Sequence, residues 1–311
     1  MRLGFFPPQV GPLAGPDSIT RVAQRAEEMG FDSLWVTERS LFPLELQTPY
    51  PVGDLPELYK VALDPLDTLG FLAGQTSRIA LGTSVLILPW YSPVLLARRL
   101  TTLDVLSNGR LRVGVGVGWS KDEYDAAGTE WGNRGKRMEE ALQALKVIWT
   151  TDPVEFQGQF YSIPRSIIGP KPVQKPHPPI YMAAYVPAAL ARVARHADAW
   201  HPVGIPLSVL PEMFAGVRAM AQEAGRDPAA LELTVRAYIF LSDQPLGDDR
   251  SDFTGTPEQI ASDIARAREI GVSELMFDVT FAPDVRSVED ILERMELLSQ
   301  LSKESLAGSP A

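Results

Sequence analysis

The chain has no cysteine in 311 residues and only three histidines. Without thiols there is no disulfide, no thiolate nucleophile and no iron–sulfur cluster, and no two histidines share a helical spacing that would hold zinc. Basic residues are also short in number: 29 Lys and Arg stand against 39 Asp and Glu, a formal net charge of −10 with no compensating basic run. Nucleic acid, which needs a basic face, is therefore not an expected partner. No stretch approaches the roughly 20 apolar residues that span a bilayer, so no membrane partner is expected. Met1-Arg2 runs straight into Leu3-Gly4-Phe5-Phe6-Pro7-Pro8 without a signal-like apolar segment, and a cytoplasmic protein is expected. Any chemistry must come from a bound cofactor or from oxygen acids, with no metal site anticipated.

What is present is the composition of an ordinary globular protein, 45% hydrophobic and 22% charged, arranged in a regular alternation. A short strand at 2–6 is followed by a helix from about 17 to 29, in which Ile19, Val22, Ala23, Ala26 and Met29 share one face. Asp17 or Ser18 is the expected cap and Gly30 the stop. Further buried runs lie at 33–38, 79–88, 110–117, 179–184, 199–203, 233–240 and 273–279. Helical patterns separate or follow them at 64–76, 92–107, 134–150, 187–197, 208–225, 256–271 and 287–302. Thr256-Pro257-Glu258-Gln259 reads as a capping box with proline at the first helical position. Eight strand-then-helix units imply parallel strands, and the expected fold is α/β, a single (β/α)8 TIM barrel. Three longer segments read as insertions: 39–56, 151–178 with a small hairpin at 156–161, and 241–255. The first and last follow strands and should lie at the active end. Residues 303–311 read as a frayed tail.

A doubly wound sheet would also alternate, but it would carry a glycine fingerprint after its first strand, and none is there. Gly114-Val115-Gly116-Val117-Gly118 has the spacing G-x-G-x-G and lies within and at the end of the fourth strand, with Lys121 where a third fingerprint glycine would fall. Glycines that thin a barrel strand for close approach of a ligand fit better.

Several segments carry a resemblance: Glu27-Glu28-Met29-Gly30-Phe31-Asp32-Ser33-Leu34-Trp35-Val36-Thr37-Glu38, then Ala80-Leu81-Gly82-Thr83-Ser84-Val85-Leu86, then Gly114 to Trp119 with Asp122-Glu123-Tyr124. Pro170 to Pro176, Pro178 to Tyr181, and Ala197-Asp198-Ala199-Trp200-His201-Pro202 continue it. In this order, from Met1 to about Leu301, the sequence resembles the bacterial luciferase-like monooxygenase superfamily, and within it the coenzyme F420-dependent oxidoreductases. The resemblance implies a luciferase-like barrel with a deazaflavin at the C-terminal ends of the strands. It also implies hydride transfer between the deazaflavin C5 and a small organic substrate. An FMN-dependent monooxygenase served by a separate reductase is the alternative, and a cofactor-binding protein with little catalysis is a third reading.

Carried over residue by residue, the resemblance implies cofactor contacts at Glu38, at Thr83, Ser84 and Val85, where it places a bulge with a cis Ser84–Val85 peptide, and at Gly116, Gly118, Trp119, Asp122 and Tyr124. It also implies contacts at Ala183, Ala184 and Tyr185, where related chains have glycines near the cofactor phosphate. The second strand departs from the sugar-phosphate-oxidising relatives, which follow the acidic residue with histidine; here the pair is Glu38-Arg39. Trp119 stands where those relatives have glutamate, so sugar-phosphate oxidation is not expected. Catalytic candidates are Glu38, Arg39 and His201. Glu38 carries a competing reading as a simple ion pair with Arg39 or another arginine. Arg236, within the seventh strand, faces either the barrel mouth or solvent and is expected to bind an anion or to pair with Asp278 near the end of the eighth strand. His196 and His177 read as structural. Homodimerisation is expected from the resemblance.

Overall fold

The computed structural model describes residues 1–307. The chain begins with strand β1 (Arg2–Phe5), helix α1 (Pro16–Met29), β2 (Ser33–Val36) and α2 (Pro65–Gln75). The third barrel position is shared by two short strands, β3 (Ala80–Thr83) and β4 (Leu86–Ile87), followed by α3 (Pro93–Leu106) and β5 (Leu111–Gly116). Next come α4 (Lys121–Ala126), α5 (Arg134–Thr150) and an antiparallel hairpin of β6 (Val154–Gln157) and β7 (Ser162–Ser166). The second half runs β8 (Ile180–Met182), α6 (Pro187–His196), β9 (Ala199–Trp200), α7 (Leu210–Glu223) and β10 (Glu232–Tyr238). A two-residue pair, β11 (Phe240–Leu241) and β12 (Thr254–Gly255), then precedes α8 (Pro257–Glu269), β13 (Glu274–Asp278) and α9 (Val288–Ala307). All barrel ladders are parallel, and the ring closes where β5 pairs with β3, β4 and β8. This is a closed eight-position parallel barrel with the third position split.

Period-two alternation sorts each strand into two environments. Outward residues such as Phe5, Leu34, Leu81, Val113, Ile180, Val235 and Phe277 join one continuous core beneath the helices. Inward residues form a separate small cluster of Phe6, Trp35, Tyr181, Ala199 and Met276. The Trp35 ring fits because Gly82 faces it: a Cβ there would come within 2.4 Å of the indole. Below this layer the barrel is ionic, with Glu274 accepting from Arg2, Arg112, Ser33 and the Trp35 indole.

The helix ends follow local chemistry. Thr256 and Gln259 form the reciprocal capping box, a device worth roughly 0.5–2 kcal/mol, and Gly30 ends α1 in the left-handed region at φ 84°. The start of α1 differs from expectation. Its cap is Gly15, not Asp17 or Ser18, because Pro16 supplies a preset φ at the first helical position. The run 79–88 is broken at 84–85, and 199–203 is a strand only over two residues, Val203 adding a single bridge to Arg236. Helix α4 lies between the fourth strand and the helical pattern at 134–150 and is begun by Ser120, whose hydroxyl accepts from the Glu123 N–H. Helix α9 continues to Ala307, because Leu298 and Leu301 keep its inner face buried through the last turns; residues 308–311 of the expected tail lie outside the described residues.

Candidate active site

The floor of the barrel mouth is a hydrogen-bonded chain centred on the break in the third strand. The hydroxyl of Thr234 on β10 donates to the Trp200 carbonyl at 3.3 Å, so it accepts from His201 Nδ1–H at 2.9 Å. That leaves His201 Nε2 as an acceptor, and the Ser84 hydroxyl lies 2.8 Å from it. Burial, reinforced by the nearby Arg236 guanidinium, pushes His201 down to about 3, so the ring is neutral at physiological pH. Trp35 stacks on it with centroids 5.7 Å apart. The Ser84 carbonyl in turn accepts from Arg236 Nη1 at 3.3 Å, and Arg236 Nε is held by Asp278 Oδ2 at 2.9 Å. The Ser84 N–H also donates to the Val36 carbonyl at 2.7 Å, so all three polar groups of Ser84 are engaged, and the Ser84–Val85 peptide is cis.

The glycines of β5 serve this break. A Cβ on Gly114 would lie 1.7 Å from the Thr83 carbonyl oxygen, one on Gly116 2.8 Å from Val85, and one on Gly118 2.9 Å from Ile87. The close approach that thins the strand is thus made by residues 83–87, and the expected reading, that these glycines clear space for a ligand, is corrected to that extent. Gly118 has a second reason to be glycine, its φ of 69°.

Around the rim, Glu38 accepts from the Ile87 N–H and from the Tyr91 hydroxyl. Desolvation outweighs those two bonds and pushes Glu38 up to about 7, so it titrates near neutrality. The expected alternative, a pair with Arg39, does not form. Arg39 Nη1 instead meets Glu123 of α4 at 2.8 Å, and Glu123 also accepts from the Ser40 N–H at 2.9 Å. This ties the start of the 39–56 segment to α4. Arg39 lies 4.9 Å from the ring centroids of both Tyr59 and Trp119. Trp119 meets Tyr50 edge-on at 5.1 Å, and Tyr59 leads through Phe281 to Tyr238 in steps of 5.5 and 5.6 Å. These rings form a continuous aromatic belt, with Tyr59 buried and Trp119, Tyr50, Phe281 and Tyr238 partly exposed.

The sequence-derived candidates divide into two groups. Glu38, Val85, Gly118, Trp119, Asp122 and Ala183 keep partial exposure, and Tyr185 is half exposed. Thr83, Ser84, Gly116, Tyr124, Ala184 and His201 are shut off beneath them. Tyr124 packs between Trp90 and Trp131 with its hydroxyl on the Val117 carbonyl, which places it in the wall, away from the mouth. Thr83 bonds Gly114 across the strands, and Ala184 accepts from the Trp200 indole. His201 is fully buried with its two nitrogens on Ser84 and Thr234, so it holds the Ser84 hydroxyl in place. Arg236 and Asp278 pair as their spacing implies. Sequence reasoning misses Tyr91, Tyr59 and Glu123, which meet the site only through tertiary packing. Thr234 and Tyr238 flank Arg236 at i±2, and strand alternation identifies them as inward-facing.

Val85 keeps partial exposure, its methyl groups lie over Gly114 and Gly116, and Ala183 reaches the same face of Gly116. Helix α6 begins at Pro187, and its N-cap residue Val186, next to Tyr185, supplies no side-chain cap.

The chain is thus a closed parallel barrel with a split third strand and a buried chain of His201, Ser84, Arg236 and Asp278 beneath its mouth. The family model for luciferase-like monooxygenases matches residues 1–246, and the chain belongs to that family. An uncharacterized protein of Mycobacterium tuberculosis is 34% identical over 288 residues, 89% of this chain and 91% of its own length. The FMNH2-dependent dimethylsulfone monooxygenase of Pseudomonas putida is 34% identical over 175 residues, 55% of this chain and 47% of its length. The F420-dependent glucose-6-phosphate dehydrogenase of Amycolatopsis mediterranei is 32% identical over 191 residues, 59% of this chain and 52% of its length. Among solved structures, the monooxygenase RslO1 from Streptomyces bottropensis shares the fold with a TM-score of 0.79 at 22% identity, covering 98% of this chain and 99% of that one. An F420-dependent secondary alcohol dehydrogenase holding an F420–acetone adduct does so with 0.75 at 20%, covering 96% and 97%. The family's relatives thus include both deazaflavin and flavin enzymes.

Proposed function

We propose that this chain is a coenzyme F420-dependent oxidoreductase that transfers a hydride to or from a small organic substrate. The observation that carries the reading is Ser84, whose hydroxyl is held by His201 and whose carbonyl is held by Arg236, under a partly open Val85. A ring set on this platform would be held without reorganisation of the protein, which is the protein's main contribution in cofactor chemistry. When bound, a deazaflavin supplies or accepts a hydride at its C5. The chain's own residues are left with three tasks. Val85 and Ala183 would carry the ring, the open start of α6 would hold the tail phosphate, and Glu38, titrating near 7, would hold or release a proton at its carboxyl beside Tyr91. The choice of deazaflavin rests on the resemblance at residues 83–85 and 114–124 and on the 32% identical F420-dependent relative.

The second reading is an FMN-dependent monooxygenase drawing reduced flavin from a separate reductase, supported by the 34% identical FMNH2-dependent relative. The two differ in a direct assay. Anaerobic turnover of a substrate panel with F420 and no oxygen supports the proposal, whereas turnover only with reduced FMN and oxygen supports the second reading. The proposed assembly is a homodimer, supported by apolar side chains exposed on α2 and α3: Phe71 at 40%, Leu95 at 63% and Leu106 at 72%. No helix of the described residues is long and apolar enough to cross a membrane, and the proposed location is the cytoplasm.

A further inference from the structure

The geometry points to Arg39 as the recognition point for a carboxylate on the substrate, so that this enzyme takes planar, apolar organic acids in preference to their neutral analogues. The inference rests on reading the mouth as the substrate site. Arg39 is the first residue of the 39–56 segment beyond Glu38, and its side chain is only 7% exposed. Among the described residues its Nη1 has a partner, Glu123 at 2.8 Å, while its Nε is buried with none. A guanidinium donor shut away from water without an acceptor loses more than the bond it fails to make, so such a group in a well-packed site calls for a partner.

The chemistry of that partner follows from the guanidinium. With Nη1 engaged, the remaining in-plane edge is Nε–H and the parallel N–H of Nη2, a fork that matches the two oxygens of a carboxylate. Tyr59 and Trp119, each 4.9 Å from the Arg39 carbon, hold the guanidinium plane in one orientation. The rest of the ligand is defined by the belt that continues from these rings to Tyr50 on one side and to Phe281 and Tyr238 on the other. Flat, unsaturated or aromatic bodies pack well against such edges. Lysine could not substitute, because an ammonium offers a point charge and no fork.

The test uses the full chain and a panel of benzoate, phenylacetate and cinnamate against the matching primary amides, with binding read from the quench of intrinsic tryptophan fluorescence. The acids should bind roughly 10- to 100-fold tighter than the amides. Arg39→Lys should remove most of that preference, and the double variant Arg39→Gln/Glu123→Gln, which leaves no orphaned charge, should remove all of it. Melting curves of both variants report folding, and parallel F420 titrations report the cofactor site. Equal binding of acids and amides, no binding by any member of the panel, or a preference that survives in the double variant overturns the inference. Loss of F420 affinity in Arg39→Lys with acid selectivity intact also overturns it, since Arg39 would then serve the cofactor. If F420 fails to bind the wild type while acid selectivity holds, the cofactor reading fails and the carboxylate site stands.

Discussion

His201 Nε2 accepts a hydrogen bond from the Ser84 hydroxyl across 2.8 Å, joining the sixth barrel position to the break in the third. Replacing the ring with an isosteric apolar one, His201→Phe, keeps the packing on Trp35 but leaves the Ser84 and Thr234 hydroxyls without their partner. The expected cost is about 2–4 kcal/mol in urea denaturation, with weaker cofactor binding, because buried polar groups lose more when orphaned than they gain when paired.

The same histidine gives a pH signature. Its folded value, about 3, lies below the unfolded value near 6.5, so the unfolded chain binds the extra proton between those limits. Its contribution is fully present above pH 6.5 and is lost as the pH falls toward 3, by up to about 1.4 kcal/mol per unit. Denaturation midpoints measured across this window should show the slope in wild type and lack this part of it in His201→Phe.

Glu38 has the opposite sign. Raised to about 7 by burial, it binds a proton in the folded state where the unfolded chain has released it, so stability falls as pH rises from about 4.5 to 7. Glu38→Gln retains an acceptor for the Ile87 N–H and a donor for the Tyr91 oxygen. It should be nearly neutral at pH 5 and stabilising by about 1–3 kcal/mol at pH 8. Equal effects at both pH values would show that the carboxyl does not titrate there. In turnover, loss of the acid limb of the pH profile in this variant would mark Glu38 as the proton-handling group.

Much of this was legible in the sequence, and the gaps have physical causes. Strand number, helix order and the capping box at Thr256 follow from local periodicity and turn chemistry, which act over a few residues. The 79–88 run reads as one buried strand even with Gly82, Thr83 and Ser84 inside it, so the break at 84–85 follows from resemblance and not from periodicity. Glu38 and Arg39 are adjacent in sequence, which invites an ion pair, but successive residues leaving a strand point apart. Arg39 therefore meets Glu123, 84 residues away. Tyr124 and His201 carry polar groups that look functional in a string of letters, whereas burial and local partners account for both side chains.

Gly114 tests the packing of β5 on the break. A methyl group there would fall 1.7 Å from a backbone oxygen, that of Thr83, which cannot rotate away. Gly114→Ala is expected to destabilise by at least about 3 kcal/mol and to displace Val85. Gly74→Ala, at a helix position with nothing within 4 Å of the added carbon, should be neutral or stabilising by a few tenths to about 1 kcal/mol. Thermal melts of the two variants side by side make the comparison.

The measurement that bears most directly on the cofactor claim is a parallel fluorescence-quench titration of the wild-type chain with F420 and with FMN, using Ala183→Leu to block the platform. The account predicts F420 binding in the micromolar range, FMN weaker by about tenfold or more, and loss of F420 binding in the variant. Tighter binding of FMN, or no binding of either, would contradict it.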